Sequence, residues 1–294
     1  MQHQFSKQEL LDLFIHLRLH YQLLLAPIFV WGYFLAGNRP DADFWLAFVA
    51  FHIFLYGGST AFNSYYDRDE GPVGGLAEPP PVSQILRPFS LAVLILGAGL
   101  AALVNLHFLI IYLVMFGMGL AYSLPSIRLK GRPLWGLATV AVGQGILASL
   151  GGWVAANPNL RVLDGLDWVG ILSVTLITVG FYPLTQIYQI DEDLARGDVT
   201  FAAWAGPAGA FWFAIIAQGI AAILLMSVIN QLLGLGSALL VGAFYGVLLA
   251  ATGHWAFTFD GSRVLHNYKR IMFLNAVTSL GFLGFVGLHL FNVL

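Results

Sequence analysis

The chain has 294 residues, of which 59% are hydrophobic and only 10% are charged. Soluble domains carry charge on roughly a quarter of their residues, so 13 basic and 15 acidic side chains are too few to cover a water-soluble core. The net charge of −2 argues against nucleic-acid binding, which normally uses a basic surface. The absence of cysteine excludes disulfides, thiolate metal sites and thiol nucleophiles. The composition therefore indicates an integral membrane protein.

Nine uncharged stretches are apolar enough to cross a bilayer, which takes about 20 residues. Charged or turn-forming residues, such as those at 38–41 and 260–262, separate them. We therefore predict an all-α integral membrane protein with nine transmembrane helices in one bundle, forming a single domain over residues 1–294. The predicted spans are 21–37, 44–66, 88–106, 108–124, 134–156, 168–190, 201–229, 232–259 and 271–294.

The segment before the first predicted span mixes apolar and charged residues over positions 5–21, which is typical of an amphipathic helix at the membrane surface. Orientation follows from the 13 Lys and Arg residues, because cytoplasmic loops carry the excess of these residues. With a cytoplasmic N-terminus, only Arg39 and Arg161 fall in outside loops. The sequence therefore predicts a cytoplasmic N-terminus, and we expect the cell (inner) membrane as the location.

Two acidic clusters follow the second and sixth predicted spans, at positions 63–70 and 189–198. Asn63 and Asp67 are four residues apart and share one helix face, and Gln189 and Asp193 repeat that spacing. Opposed carboxylates repel each other unless cations lie between them, and ligand sets made only of oxygen atoms select hard ions such as Mg²⁺. The alternative is a solvated pair of helix ends with no ligand. The duplication favours a Mg²⁺–diphosphate site, with candidate metal ligands Asn63, Asp67 and Asp193.

A basic segment follows the fourth predicted span on the same side of the membrane. It contains Arg128, Lys130 and Arg132 within five residues. Such a segment anchors a membrane protein to anionic lipid in the simplest interpretation. It also suits a diphosphate, since Arg offers a two-pronged contact and Lys a point charge. Together with the acidic clusters, it predicts one polar vestibule above an apolar cavity.

At these motifs the sequence resembles the UbiA-type intramembrane prenyltransferases, as a divergent member. The family's segment Tyr-Ser-x-Pro-Pro-x-Arg-Leu-Lys is nearly complete from Tyr122 to Lys130, with Ser126 in place of the second Pro. The family's first signature, Asn-Asp-x-x-Asp-x-x-x-Asp, is matched by Asn63 and Asp67. Ser64 and Gly71 stand where its first and last Asp belong.

The family's second signature, Asp-x-x-x-Asp followed by Gly and Thr, is matched by Asp193, Gly197 and Thr200. Gln189 stands where the first Asp belongs. The resemblance implies that Asp69 and Asp191, each two residues from a missing carboxylate, substitute for it as metal ligands beside Asn63, Asp67 and Asp193. The resemblance covers the whole predicted bundle, and the order and spacing of the three motifs carry it.

The resemblance implies Mg²⁺-dependent transfer of an isoprenyl group from its diphosphate to an aromatic or other lipid-precursor acceptor in the membrane, with the active site facing the cytoplasm. Two other hypotheses remain open, a non-catalytic isoprenoid-binding member and a lipid transporter. No nucleic acid is expected as a partner. The implied catalytic residues are Asn63, Asp67, Asp193 and Tyr122, and the implied substrate-binding residues are Arg128, Lys130, Arg68, Ser123, Gln189, Tyr188 and Arg18.

Overall fold

The structure is a computed structural model that describes residues 6–157 and 161–291. The ends of the predicted amphipathic segment, at residue 5, and of the last predicted span, at 292–294, lie outside the described residues. The regular structure of the described residues is helical, apart from an isolated bridge between Val73 and Leu76. The helices are α1 Lys7–Ile15, α2 Leu19–Gln22, α3 Ala26–Leu35, α4 Ala42–Val49, α5 Gly57–Asp67, α6 Leu86–Val104, α7 Leu106–Ser123, α8 Pro133–Val140, α9 Ala148–Ala156, α10 Gly165–Leu184, α11 Ile190–Ala195, α12 Phe201–Leu233, α13 Leu235–Phe257 and α14 Val264–Leu290.

Eight helices in the described part of the chain are long and apolar enough to cross a membrane. Two of them contain a π-helical segment: Ala50–Tyr56 joins α4 to α5, and Ala141–Leu147 joins α8 to α9. The third and fourth predicted spans separate at Asn105, whose extended backbone ends α6 and whose side chain accepts a hydrogen bond from the Phe108 amide at 2.9 Å. The structure therefore confirms eight predicted spans as helices.

The first predicted span, 21–37, is broken instead of continuous. Helices α1 and α2 lead into α3 with a bend of 45°, and the chain reaches a ninth span only if this bent pair is counted as one. Pro27 lies in the first turn of α3, where its missing N–H is tolerated, but no helix can continue through it without losing a hydrogen bond. The count of nine and the cytoplasmic N-terminus therefore stay predictions.

Helix α3 is short but lies deep in the bundle, against α9. A Cβ atom on Gly32 would lie 1.8 Å from the carbonyl oxygen of Ser149, and one on Gly152 would lie 1.9 Å from that of Phe29. The two backbones therefore touch directly, as small residues allow between membrane helices. This contact fixes the bent N-terminal segment against the bundle and places its polar residues beside α5.

Candidate active site

A cavity of about 330 Å³ lies inside the bundle and changes character along its length. Asp67, at the end of α5, lies at its polar end, and Leu55, in the π-helical segment before α5, lines it about three helical turns earlier in the same span. The charged and amide side chains of the lining are Arg18, Gln22, Asn63, Asp67, Asp69, Lys130, Gln144, Gln186, Gln189, Asp193, Arg196 and Asn275. The apolar part includes Leu55, Met115, Val140, Val174, Ile177, Phe181 and Phe282.

Asp67 is the most heavily contacted carboxylate at the polar end. Its side chain is 3% exposed and forms an ion pair with Lys130. The Arg128 Nη2 atom lies 3.5 Å from its Oδ1 atom, and the amide of Asn63 donates to its Oδ2 atom at 2.7 Å. The Oδ1 atom has no hydrogen-bond partner in the described residues. Burial next to two cations holds this carboxylate in place, and its Oδ1 atom, 3.5 Å from Arg128 and without a hydrogen bond in the described residues, can still accept a ligand.

Helix α7 fixes the neighbouring amide. The hydroxyl of Ser123, the last residue of α7, donates to the Oδ1 atom of Asn63 at 3.1 Å. The preceding residue, Tyr122, shares a hydrogen bond of 3.0 Å with the hydroxyl of Tyr182 on α10. Two of the three motifs and α10 therefore meet around one point of the cavity.

Arg196 joins the two acidic clusters. It donates to Asp193 Oδ1 at 2.7 Å and Asp69 Oδ1 at 2.5 Å, and it lies 3.3 Å from Glu192 Oε1. Burial disfavours its charged form, but Asp69 and the other carboxylates outweigh burial and raise the pKa of Arg196. For Asp193 the balance is opposite, because burial outweighs Arg196 and raises the pKa of this carboxyl group to about 6.

The segment after the first cluster packs onto the second. The Gln189 amide donates to the carbonyl oxygen of Pro72 at 3.0 Å, and the backbone N–H of Glu70 donates to Glu192 at 3.4 Å. From the other side, Arg18 donates to the carbonyl oxygen of Gly74 at 3.3 Å. Arg18 also donates to Ser64 Oγ at 2.8 Å. The segment therefore closes part of the polar end.

Three residues assigned from the sequence do not line the cavity. Arg68 and Asp191 are exposed to the surroundings. Arg128 forms a two-pronged pair with Asp198, with Nε–Oδ1 and Nη2–Oδ2 distances of 2.5 and 2.6 Å. This contact raises the pKa of Arg128. The other assigned residues that the structure gathers at the cavity are Arg18, Asn63, Asp67, Asp69, Tyr122, Ser123, Lys130, Tyr188, Gln189 and Asp193.

The predicted site residues did not include Arg196, Asp198, Gln22 and Tyr56, although Arg196 and Asp198 stand in the second acidic cluster. Asp198 is 2% exposed, although it stands in an apparently solvated run of acids. Tyr56 lies seven residues before Asn63 and therefore on the same helix face, a spacing that could have indicated it. No local pattern marks Gln22 as a cavity residue.

The oxygen donors at the polar end fit a hard divalent cation. Asp67 Oδ1 and Asp69 Oδ2 are both buried and have no hydrogen-bond partner in the described residues. No group of three His, Asp or Glu side chains in this part of the chain could hold a metal by itself. Mg²⁺ needs no such group, since it typically takes one or two carboxylates and completes its shell with substrate phosphate oxygens and water.

Comparisons with known proteins agree with one another. Residues 25–277 match the model of the UbiA prenyltransferase family. A UbiA homologue from Archaeoglobus fulgidus, solved bound to DMAPP and Mg²⁺, superposes with a TM-score of 0.65 at 20% identity, over 96% of this chain and 100% of that one. The apo structure of a UbiA homologue from Aeropyrum pernix K1 superposes with a TM-score of 0.62 at 20% identity, over 89% and 98% of the chains.

A curated relative is the digeranylgeranylglyceryl phosphate synthase of Methanothrix thermoacetophila. It is 27% identical over 176 residues, which are 58% of this chain. The match spans 62% of that synthase. The structural likenesses show the fold, and the family match shows the relationship over most of the chain.

Proposed function

Because the chain belongs to the UbiA prenyltransferase family, we propose that it transfers an isoprenyl group from its diphosphate to an aromatic or other lipid-precursor acceptor in the membrane. The observation that carries this proposal is the cavity, which places three carboxylates and three cations at one end of an apolar pocket. A diphosphate suits the polar end, and an isoprenyl chain suits the apolar part. The Mg²⁺-bound and DMAPP-bound homologue of the same fold supports this assignment.

Arg18, Lys130 and Arg196 would bind the diphosphate oxygens. All three line the cavity at its polar end. In the free protein, Lys130 pairs with Asp67, and Arg196 pairs with Asp69 and Asp193. A bound diphosphate would therefore replace the carboxylate oxygens around Lys130 and Arg196 with its own oxygens. These two cations are already removed from water in the free protein, so their charges do not have to be desolvated again when the diphosphate binds.

Asp67 and Asp69 would hold Mg²⁺ through the oxygens that have no hydrogen-bond partner in the described residues, with Asp193 on the facing cluster. The chemistry that a bound Mg²⁺ supplies here is neutralisation of the negative charge that builds up on the diphosphate. Gln189 is not assigned to the metal, because its amide is engaged with Pro72. Asp191 is exposed and is not assigned either.

In the proposed reaction, the bond between the allylic carbon and the diphosphate oxygen breaks, and its electron pair leaves with the diphosphate. The acceptor donates an electron pair to that carbon to form the new bond and then loses a proton. Lys130 and Arg196 stabilise the charge on the leaving group. The rings of Tyr122 and Tyr182 line the adjacent wall and can stabilise positive charge on the allylic carbon.

We place this activity in the cell (inner) membrane, with the polar end of the cavity on the cytoplasmic side. The distribution of the 13 Lys and Arg residues supports this orientation. Membrane lipid surrounds the apolar outer faces of the spans, and the apolar acceptor reaches the cavity from that phase. The orientation is testable by labelling single cysteines, since the natural chain has none.

The test of the proposed function is incubation of the purified protein with DMAPP or geranyl diphosphate, Mg²⁺ and a set of phenolic and lipid-alcohol acceptors. Product formation is followed by mass spectrometry and diphosphate release. Activity is expected to require Mg²⁺ and to disappear in Asp67→Asn and Asp193→Asn. Asp191→Asn, an exposed acid of the same cluster, is the matched control and is expected to retain activity.

Absence of turnover with every donor and acceptor, at any Mg²⁺ concentration, would contradict the proposal. Binding of geranyl diphosphate without turnover would favour a non-catalytic isoprenoid-binding member. Full activity in both Asp67→Asn and Asp193→Asn would leave the family relationship intact but overturn the assignment of the metal site.

A further inference from the structure

The broken segment between α2 and α3 forms part of the cavity wall. Leu24 and Leu25, which lie in the break, line the cavity, and the Ser279 hydroxyl on α14 donates to the Leu24 carbonyl oxygen at 2.8 Å. Irregular backbone between apolar helices is tolerated where it is buried in protein or lines a cavity. In membrane proteins such broken helices commonly form ligand sites. This wall is therefore a candidate subsite separate from the acidic clusters.

Gln22, the last residue of α2, lies on this wall. Its side-chain oxygen has no hydrogen-bond partner in the described residues. Its amide nitrogen donates to the Leu17 carbonyl oxygen at 2.8 Å and to Thr60 Oγ1 at 3.1 Å. The Thr60 hydroxyl donates its own proton to the Tyr56 carbonyl oxygen at 2.7 Å. Both partners of the amide nitrogen can thus only accept, which fixes the amide orientation. The Oε1 atom has no hydrogen-bond partner among the residues that the structure describes, although Gln22 is 1% exposed.

Tyr56 carries a second unpaired oxygen on the same wall. It ends the π-helical segment Ala50–Tyr56, lines the cavity and is 6% exposed. Its hydroxyl has no hydrogen-bond partner in the described residues. A buried hydroxyl without a partner costs folding free energy, and π-helical segments frequently lie at functional sites. Both observations point to a ligand that pairs with this hydroxyl.

The two residues lie near the place where the isoprenyl group would react. Gln22 contacts Thr60, which precedes Asn63 by three residues, or about 4.5 Å along the helix axis. Tyr56 precedes Asn63 by seven residues, or about 10 Å. A group bound between the positions of Thr60 and Tyr56 would lie deeper in the cavity than the diphosphate, beside the first carbons of the isoprenyl chain.

The chemistry of this wall selects a ligand that donates a proton. The fixed Oε1 atom of Gln22 can only accept a hydrogen bond, so a carboxylate or a phosphate would be repelled there. A hydroxyl group can donate to Gln22 and accept from Tyr56. We propose that Gln22 and Tyr56 bind the hydroxyl group of the prenyl acceptor and make this chain selective for acceptors with a free hydroxyl. The proposal rests on the proposed function for the identity of its ligand.

The test is binding of two probes, 4-hexylphenol and its methyl ether 4-hexylanisole, to the full chain in lipid nanodiscs by calorimetry. Nanodiscs without protein correct for partition into lipid. The methyl ether can accept but not donate, so the wild-type protein is expected to bind the phenol about fivefold to tenfold more tightly. In Tyr56→Phe the affinity for both probes is expected to fall about threefold to tenfold, because both can accept from the lost hydroxyl, while the preference for the phenol remains. The melting temperature is expected to be unchanged or higher, because the removed oxygen has no hydrogen-bond partner in the described residues.

Tyr112→Phe is the matched control. Its hydroxyl donates to the Leu94 carbonyl oxygen at 2.9 Å, and it does not line the cavity. It is therefore expected to keep the wild-type affinity for both probes and to lower the melting temperature. An equal affinity for both probes in the wild type, or an unchanged affinity for both probes in Tyr56→Phe, would overturn the proposal. Turnover of geranyl diphosphate is measured separately. A protein that shows no turnover but still prefers the phenol would contradict the proposed function and would still support the hydroxyl-binding subsite.

Discussion

The side-chain amide of Gln189 donates a hydrogen bond to the carbonyl oxygen of Pro72, 3.0 Å away. An ionised carboxylate at position 189 could only accept, so this contact requires an amide there. Gly71 lies in the same contact, because a Cβ atom at this position would lie 3.0 Å from Glu192 Oε2. Two of the three positions at which the acidic motifs lack an expected Asp, Gly71 and Gln189, therefore serve one packing contact between the segment after α5 and the start of α11.

Gln189→Glu is expected to loosen this segment. The substitution keeps the shape but places a carboxylate against a carbonyl oxygen, which removes a hydrogen bond worth about 1 kcal/mol and adds repulsion. Hydrogen exchange at the Val73 and Leu76 amides, which are bonded to each other's carbonyl oxygens at 2.8 and 2.6 Å, should speed up about fivefold or more.

Gln84→Glu is the control for Gln189→Glu. The Gln84 side chain accepts from the Tyr65 hydroxyl at 3.0 Å, and a Glu side chain can accept in the same way. Exchange at Val73 and Leu76 should therefore stay at the wild-type rate in this variant. Equal exchange in Gln189→Glu and wild type would show that the amide does not hold the segment.

Local spacing predicts some of these relationships and not others. Asn63 and Asp67 are four residues apart, which predicts a shared face, and the structure has them hydrogen-bonded at 2.7 Å. The eight confirmed spans likewise follow from runs of apolar residues. Arg128 and Asp198 are 70 residues apart, and no local pattern specifies that pair. The bend before α3 escapes the hydropathy pattern, because Pro27 interrupts the hydrogen bonding without changing the apolar character.

Arg128 is expected to act on stability more than on substrate affinity, because it pairs with Asp198 and lies outside the cavity lining. Arg128→Lys loses the two-pronged contact and should destabilise the protein by about 1–3 kcal/mol. Asp198→Asn should have a similar effect, and the double variant should lose less than the sum of the two. Melting temperatures in detergent and the KM for geranyl diphosphate check this. A KM raised about tenfold with an unchanged melting temperature would place Arg128 on the substrate instead.

The stability of the metal-free protein should depend on the ionisation of Asp193. Burial raises the pKa of this carboxyl group from 3.8 to about 6. The folded state therefore holds the proton more tightly than the unfolded state, so the free energy of unfolding falls as the pH rises from about 4 to 6, by up to about 3 kcal/mol. Asp193→Asn removes this dependence. The melting temperatures of the Asp193→Asn variant and the wild type are compared in the presence of EDTA. The value for the variant minus that for the wild type should increase with pH and level off above about pH 6.5.

Asp191→Asn serves as the control for this pH series, because Asp191 is exposed on the same short helix. Its difference from the wild type should stay flat over the same range. A flat difference for Asp193→Asn as well would mean that burial does not raise the pKa of Asp193.

The direct backbone contact between α3 and α9 predicts that Gly152→Ala destabilises the protein strongly. The new Cβ atom would lie 1.9 Å from the Phe29 carbonyl oxygen, and a backbone atom cannot move aside as a flexible side chain can. Overpacking of this kind costs about 1–3 kcal/mol or more. Gly99→Ala is the matched change in open space, where the better helix propensity of Ala should leave stability equal or slightly higher. Melting temperature and size-exclusion profile compare the two. An unchanged melting temperature in Gly152→Ala would show that the backbones of α3 and α9 are not in direct contact. The position of Gln22 beside α5 would then lose its support.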